Sequence, residues 1–287
     1  MILGVRDKIW ITGSHGRLGS TIYRYLDPID AEIVATDKNE VDITNQKEVS
    51  TFIERLRPTI IVNASGLTKK NECEKNPDEA YLLNAIGAKN IAIAANRHKA
   101  KIVQLSTGDV FDGNTINPYK EIDTPRPTTV YGKSKFLGEE FVRNFSNYYY
   151  IIRVSRLYSR ENSFVENIID QAKKGKVVMP KDRISSPTPA FELSKFLIEL
   201  IKTNNYGTYH ASCEGYCSHK DFAQEVIDYL GLDAEIEEII DESRVDMVPS
   251  FRGIENYFLD ITNGYRFNDW KSALHEYIEK EGLNGKK

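Results

Sequence analysis

Lys8-Ile-Trp-Ile-Thr12-Gly13-Ser-His15-Gly16-Arg17-Leu18-Gly19 is the stretch on which the fold turns. An apolar run ends at Thr12, glycine recurs at every third position, and an amphipathic pattern over 18–26 follows at once. Strand, glycine turn and helix in that order open a βαβ unit that cradles a dinucleotide. The glycines permit a tight turn, close backbone approach to the pyrophosphate and close helix–strand packing, and the helix start offers its N–H groups to the phosphates. A turn without a ligand rarely needs three glycines at this period. Gly13, His15, Gly16, Arg17, Leu18 and Gly19 are therefore assigned to a cofactor cradle.

The residues that follow extend the pattern. The apolar run 32–37 ends in Asp37, where a carboxylate can bond the adenosine ribose hydroxyls and repel a 2′-phosphate. Lys38, next along, offers that phosphate a cation, so the expected preference for NAD over NADP is modest. Asp42 and Ile43 fall where the adenine ring would rest, although Asp42 equally suits the start of a turn. Thr44 or Asn45 caps a helix to about Arg57, which Pro58 closes. Residues 60–63 form the third strand, an unbroken apolar run that ends at Asn63, as a fully buried parallel strand requires. Further elements are predicted as a helix from Pro77 to Ala95, a strand over 101–106, a helix over 131–145 and a strand over 149–153.

Strands alternating with helices define an α/β, doubly wound parallel sheet of Rossmann type. Beyond residue 160 the pattern loosens. Pro180, Pro187 and Pro189 crowd one segment, then come helices over 190–203, 221–230 and 269–280. We expect a dinucleotide-binding core over 1–160. Residues 161–287 should form mainly a smaller C-terminal substrate-binding lobe, with some segments returning to the core.

Tyr131-Gly-Lys-Ser-Lys135 supplies the chemistry. Residues four apart on a helix share a face, so the ammonium lies beside the phenol. A nearby cation favours phenolate and lowers a pKa that is otherwise about 10. Tyr-x-x-x-Lys is weak alone, since a solvated helix face produces it by chance. Joined to a dinucleotide turn and a hydroxyl at a strand end, Thr107, it points to redox chemistry on a nicotinamide.

Composition narrows the class. The 287 residues carry 28% charged and 40% hydrophobic side chains with a net charge of −4, giving no electrostatic case for a nucleic acid polymer or an anionic membrane. No apolar run approaches the roughly 20 residues of a membrane helix, and the first residues lack a signal-peptide layout. Three cysteines make no disulfide framework, so a cytoplasmic setting is expected. His210, Cys213, Cys217 and His219 resemble a zinc ligand set only loosely; their spacing matches no standard site, and a strand, a turn and a helix capped by Ser218 with Asp221 explain them. No metal is expected.

With these residues placed, the chain resembles the extended short-chain dehydrogenase/reductases, and among them the dTDP-4-dehydrorhamnose reductase group. The likeness runs over nearly the whole chain. It is carried by Ser106-Thr-Gly-Asp-Val-Phe-Asp-Gly113, Pro118-Tyr-Lys-Glu121, Val130-Tyr-Gly-Lys-Ser-Lys135 with Gly138-Glu139, and Ser186-Pro-Thr188, with Asn63-Ala64 and Asn84-Ala85 in support. The resemblance implies that Thr107 bonds the substrate carbonyl, Tyr131 delivers the proton and Lys135 binds the nicotinamide ribose. It places Asn63, Ala64 and Ser65 near the cofactor. It further implies a nucleotide-sugar substrate, with a homodimer as the candidate assembly.

Three departures bear on the substrate. Gly108-Asp109 replaces the group's usual Asp-Tyr, Arg156 replaces a Trp, and Asp182-Arg183-Ile-Ser-Ser186-Pro-Thr188 replaces its Asp-Gln-x-Gly-Ser-Pro-Thr. Asp109, Arg156, Asp182, Arg183 and Thr188 are accordingly expected on the sugar side, with Asp109 and Arg156 free to pair with each other. The expected activity is reduction of a nucleotide-linked 4-keto sugar in an altered pocket. An epimerase or dehydratase is one alternative; a non-catalytic subunit, like the methionine adenosyltransferase regulatory beta subunit, is another.

Overall fold

The computed structural model describes residues 7–26, 31–160, 164–181, 183–240 and 250–284. The first ten strands in chain order are β1 (Lys8–Thr12), β2 (Glu32–Thr36), β3 (Ile60–Asn63), β4 (Lys101–Thr107), β5 (Tyr149–Val154), β6 (Arg156–Tyr158), β7 (Lys176–Pro180), β8 (Ile184–Ser185), β9 (Pro187–Pro189) and β10 (Gly207–His210). The central sheet has six strands in the order β2-β1-β3-β4-β5-β10. Every pairing in it is parallel. The chain leaves β1 outward to β2 and returns past it to β3. The direction of winding therefore reverses between β1 and β3, and the crevice beyond their carboxyl ends is where such folds bind ligands.

Alternation along the strands feeds two cores. Ile9, Ile11, Val62, Val103 and Ile152 face α1 (Arg17–Leu26) on one side. Trp10, Ile61, Ile102 and Ile151 face the other, against α2 (Gln46–Leu56) and part of a long helical run. Asn45 is the N-cap of α2, its side chain accepting from Lys47 and Glu48 N–H, and Arg57 closes that helix in the left-handed region at φ 51°.

The long run is not the single helix predicted from Pro77. A short polar helix α3 (Lys70–Lys75) precedes it, then α4 (Pro77–Tyr81), a π turn over Leu82–Ile86, and α5 (Gly87–Arg97). In the π turn Gly87 N–H reaches back five residues to Leu82 C=O. Only Cys73 of α3 is buried, so the helix has no apolar stripe for sequence reading to catch. Next comes α6 (Val130–Phe145), which leads into β5.

Beyond β6, Tyr158, Val165, Ile168, Val177, Phe222, Trp270 and Leu274 build a separate hydrophobic cluster. Leu193, Phe196 and Leu197 of the helix Ala190–Ile201 belong instead to the sheet core. A small sheet places β8 between Cys217–Ser218, antiparallel, and Phe251–Arg252, parallel. Ser218 caps the helix His219–Leu230 in a reciprocal capping box with Asp221. Among the described residues no helix is long and apolar enough to cross a membrane.

Candidate active site

The cofactor cradle is assembled from three strand ends. Gly16 N–H donates to Gly13 C=O at 3.0 Å, closing the turn. A Cβ on Gly19 would lie 2.2 Å from Gly13 O, so only glycine allows α1 to start this close to the turn. Asn63 cross-links the floor: its Oδ1 accepts the Thr12 hydroxyl at 2.9 Å and its Nδ2 donates to Gln104 Oε1 at 2.7 Å. Ser65 Oγ donates to Thr12 Oγ1 at 2.9 Å, and Ala64 N–H to Thr12 C=O at 3.2 Å.

Other cradle assignments have different surroundings. The Asp37 carboxylate accepts His15 N–H at 3.0 Å, lies 2.9 Å from His15 Nδ1 and accepts Lys38 N–H at 3.1 Å. Asp37 thus fastens β2 to the glycine turn, and Lys38 is exposed beside it. Asp42 takes its turn role, accepting Thr44 N–H and Oγ1 at 2.9 and 2.7 Å. Leu18 packs against the sheet core, and Ile43 is buried in the core on the α2 side. Their side chains serve packing, because apolar groups this close to the sheet are drawn beneath the helices. Asp182 and the side chain of Arg17 lie outside the described residues.

The catalytic candidates meet beyond β4. Thr107 is its last residue, 4% exposed, with Oγ1 accepting Asp109 N–H at 3.1 Å. Thr129 caps α6 by accepting Gly132 N–H at 3.0 Å, which sets Tyr131 in the first turn. A Cβ on Gly132 would lie 2.2 Å from Asp109 O, so α6 begins pressed against the Gly108–Val110 turn. Lys135 is buried, its Nζ donating to Leu105 C=O at 2.6 Å. Burial lowers its pKa to about 8, with Glu139 opposing. Glu139 is itself fully buried and accepts from Ser106 Oγ at 2.5 Å, Arg153 at 3.0 and 2.8 Å, and Arg143 at 2.8 Å. That cluster ties α6 to β4 and β5.

On the sugar side Asp109 and Arg156, which were free to pair with each other, have separate partners. Asp109, 1% exposed, pairs with Lys70 and lies 3.6 Å from Arg252 Nη1. Burial works to raise its carboxyl, but Lys70 and Arg252 overcome this and hold it below the usual range. Arg156 instead places Nη1 2.7 Å from His219 Nε2 and its guanidinium 3.7 Å from the Phe164 ring centroid. The two charges stand on different elements, and each found a nearer partner. Lys70 Nζ is 5.7 Å from the Tyr131 ring centroid. Arg183 C=O accepts His219 N–H at 3.0 Å. Thr188 is fully buried, its Oγ1 accepting Cys213 N–H at 2.9 Å, which occupies it in joining β9 to the segment after β10. His210 and His219 have separate partners, and among the described residues no three His, Cys, Asp or Glu are placed to hold a metal.

Residues 7–282 match the family described as RmlD substrate binding domain. The chain belongs to that family. The RmlD relative SpsK, a spore coat polysaccharide biosynthesis protein of Bacillus subtilis (strain 168), is 35% identical over 282 residues, covering 95% of this chain and 97% of its own. A dTDP-4-dehydrorhamnose reductase from Clostridium acetobutylicum ATCC 824 superposes with a TM-score of 0.91 at 37% identity, covering 96% of this chain and 99% of its own. The dTDP-4-dehydrorhamnose reductase of Bacillus anthracis str. Ames, solved in complex with NADP, does so at 0.91 and 33%, with the same coverage. Within this chain of the RmlD family, Lys70 and Arg252 hold Asp109 in the candidate site, and sequence reading missed both. Lys70 lies on a helix without periodicity and Arg252 on a two-residue strand, and neither belongs to a motif.

Proposed function

We propose that this protein is an NAD(P)H-dependent reductase of a nucleotide-linked 4-keto sugar, acting through Thr107, Tyr131 and Lys135. One observation carries the reading. Lys135 Nζ is held on Leu105 C=O, two residues before Thr107, on the helix whose first turn carries Tyr131. Hydroxyl, phenol and ammonium are thus brought to one strand end, beside a turn whose backbone suits a pyrophosphate.

When bound, the nicotinamide supplies the hydride. Thr107 Oγ1 and Tyr131 Oη hydrogen-bond the ketone oxygen, and Tyr131 gives its proton to the developing alkoxide. The Lys135 cation favours the phenolate that results and holds the ribose of the cofactor. Either dinucleotide is accepted. Asp37 supports NADH, while exposed Lys38 supports NADPH. The residues that position the sugar are Asp109, Arg156 and Arg183. A dehydratase would need a free acid beside Thr107; Gly108 offers none and Asp109 is held by Lys70 and Arg252.

The test follows NADH and NADPH absorbance with a panel of dTDP- and UDP-linked 4-keto sugars. Oxidation of cofactor with appearance of the C4 hydroxyl is expected for at least one. Tight cofactor binding with no turnover across the panel would favour a regulatory subunit. Loss of water without net cofactor oxidation would favour the dehydratase.

A further inference from the structure

We propose that Lys70, Arg156, Arg183 and Arg252 form a subsite for an anionic substituent, of the carboxylate class, on the sugar itself, an inference that rests on the reductase reading. The fold gathers these cations from distant segments. Pairing of β8 with Cys217–Ser218 and Phe251–Arg252 brings Arg183, His219 and Arg252 into one small sheet and its margin. Arg156 joins through His219, and Lys70 and Arg252 meet on Asp109. Four cations thus stand within electrostatic reach of His219, and only two of them, Lys70 and Arg252, share the Asp109 carboxylate.

Outside the ion pairs that Asp109 makes with Lys70 and Arg252, the unpartnered atoms of this cluster are donors. A guanidinium cannot accept, so the 2.7 Å contact makes His219 Nε2 the acceptor and puts the ring proton on Nδ1. Burial, then Arg156, Arg252, Arg183 and Lys70, press the His219 pKa down to about 2, keeping the ring neutral. His219 Nδ1, Arg156 Nε and Arg252 Nε are buried with no hydrogen-bond partner among the described residues. Buried donors left unpaired are costly, and a carboxylate presents the acceptors and charge they lack. A methyl group would present neither.

Position assigns the anion to the sugar and not to the diphosphate. Lys70 lies 5.7 Å from the Tyr131 ring, and Asp109 follows Thr107 by two residues. A carbonyl reduced at C4 is across the pyranose ring from C1, where the diphosphate is attached.

Calorimetric titration of the full chain loaded with NADP⁺ tests this with dTDP, dTDP-glucose and dTDP-glucuronate, and with the UDP series. The C4-hydroxyl forms are used because a 4-keto uronate is a β-keto acid that loses CO₂. The glucuronate form should bind at least ~10-fold tighter than the glucose form, and Arg156→Gln should abolish that advantage while dTDP and NADP⁺ affinities stay within about twofold. Equal binding of the two sugars by the unmodified protein overturns the proposal and needs no variant to fold. An Arg156→Gln protein that loses dTDP, glucose and glucuronate forms alike overturns it too, moving the cations to the diphosphate. If no nucleotide sugar binds in either series, the reductase reading itself fails and the subsite falls with it.

Discussion

Replacing Lys135 by Met should make the cofactor-free protein more stable while destroying its activity. The ammonium is buried, and its pKa falls from 10.5 to about 8 through loss of hydration. At about 1.4 kcal/mol per pH unit, that fall is a folding penalty of about 3 kcal/mol. Removing Nζ also removes its bond to Leu105 C=O, worth about 1 kcal/mol, although Gln104 Nε2 still donates to that oxygen at 3.1 Å. The net gain near neutral pH is therefore about 2 kcal/mol, a rise in melting temperature of roughly 3 °C for a chain of this size.

The pH dependence has a fixed sign. The folded pKa lies below the unfolded one, so the unfolded chain binds more protons between them and stability rises with pH across that window. The penalty is whole below pH 8 and gone above 10.5, the limits set by the shift itself. At about pH 9.5 roughly 1 kcal/mol remains, comparable to the lost hydrogen bond, and the two proteins should then unfold at similar urea concentrations. Urea titrations followed by tryptophan fluorescence at neutral pH and at about pH 9.5 measure both points, since Trp10 and Trp270 are buried. A Met variant no more stable than the parent at neutral pH would refute the burial argument.

Other substitutions separate the remaining roles. Tyr131→Phe should cut turnover by ~10²–10⁴-fold while the dissociation constant for NADPH hardly moves; more than half the parent turnover would remove Tyr131 from the mechanism. Asp37→Ala, freeing His15 and Lys38 from the carboxylate, should raise the NADPH-to-NADH ratio of kcat/KM, and an unchanged or lower ratio would show that Asp37 does not set it. Gly19→Ala forces a methyl against Gly13 O and should lower stability by ~1–3 kcal/mol along with cofactor affinity. Normal binding in fluorescence titration would mean the turn is softer than its packing implies.

Much of the dinucleotide-binding half was legible because buried parallel strands announce themselves as apolar runs. The runs at 8–12 and 60–63 became β1 and β3 without adjustment, and β4 ran one residue further, to Thr107. Asn45 and the Ser218–Asp221 box were readable for a different reason: a cap is local chemistry, fixed within four residues. What stayed hidden depends on contacts between segments far apart in the chain. Asp109 and Arg156 were visible as charges, but nothing in their sequence spacing says that Lys70 and Arg252 would reach the first and His219 the second. Ile43 was assigned to the cofactor by position alone, and nothing in its spacing says that the adjoining turn directs its side chain into the core beneath α5.

The π turn over Leu82–Ile86 amounts to one residue more than a regular helix would hold, and that surplus aims Asn84. Asn84 Oδ1 accepts Leu67 N–H at 2.8 Å, and its Nδ2 donates to Leu67 C=O at 3.1 Å and to Ser134 Oγ at 2.9 Å. The clasped loop includes Gly66, where a Cβ would stand 3.7 Å from Lys135 Nζ. Excising a single residue there would leave a smoother helix. It would also rotate everything on one side by about 100° and swing Asn84 off the loop. The wall beside the ammonium thus depends on a miscount, and lineages that shorten this helix by one residue must find another way to hold that loop.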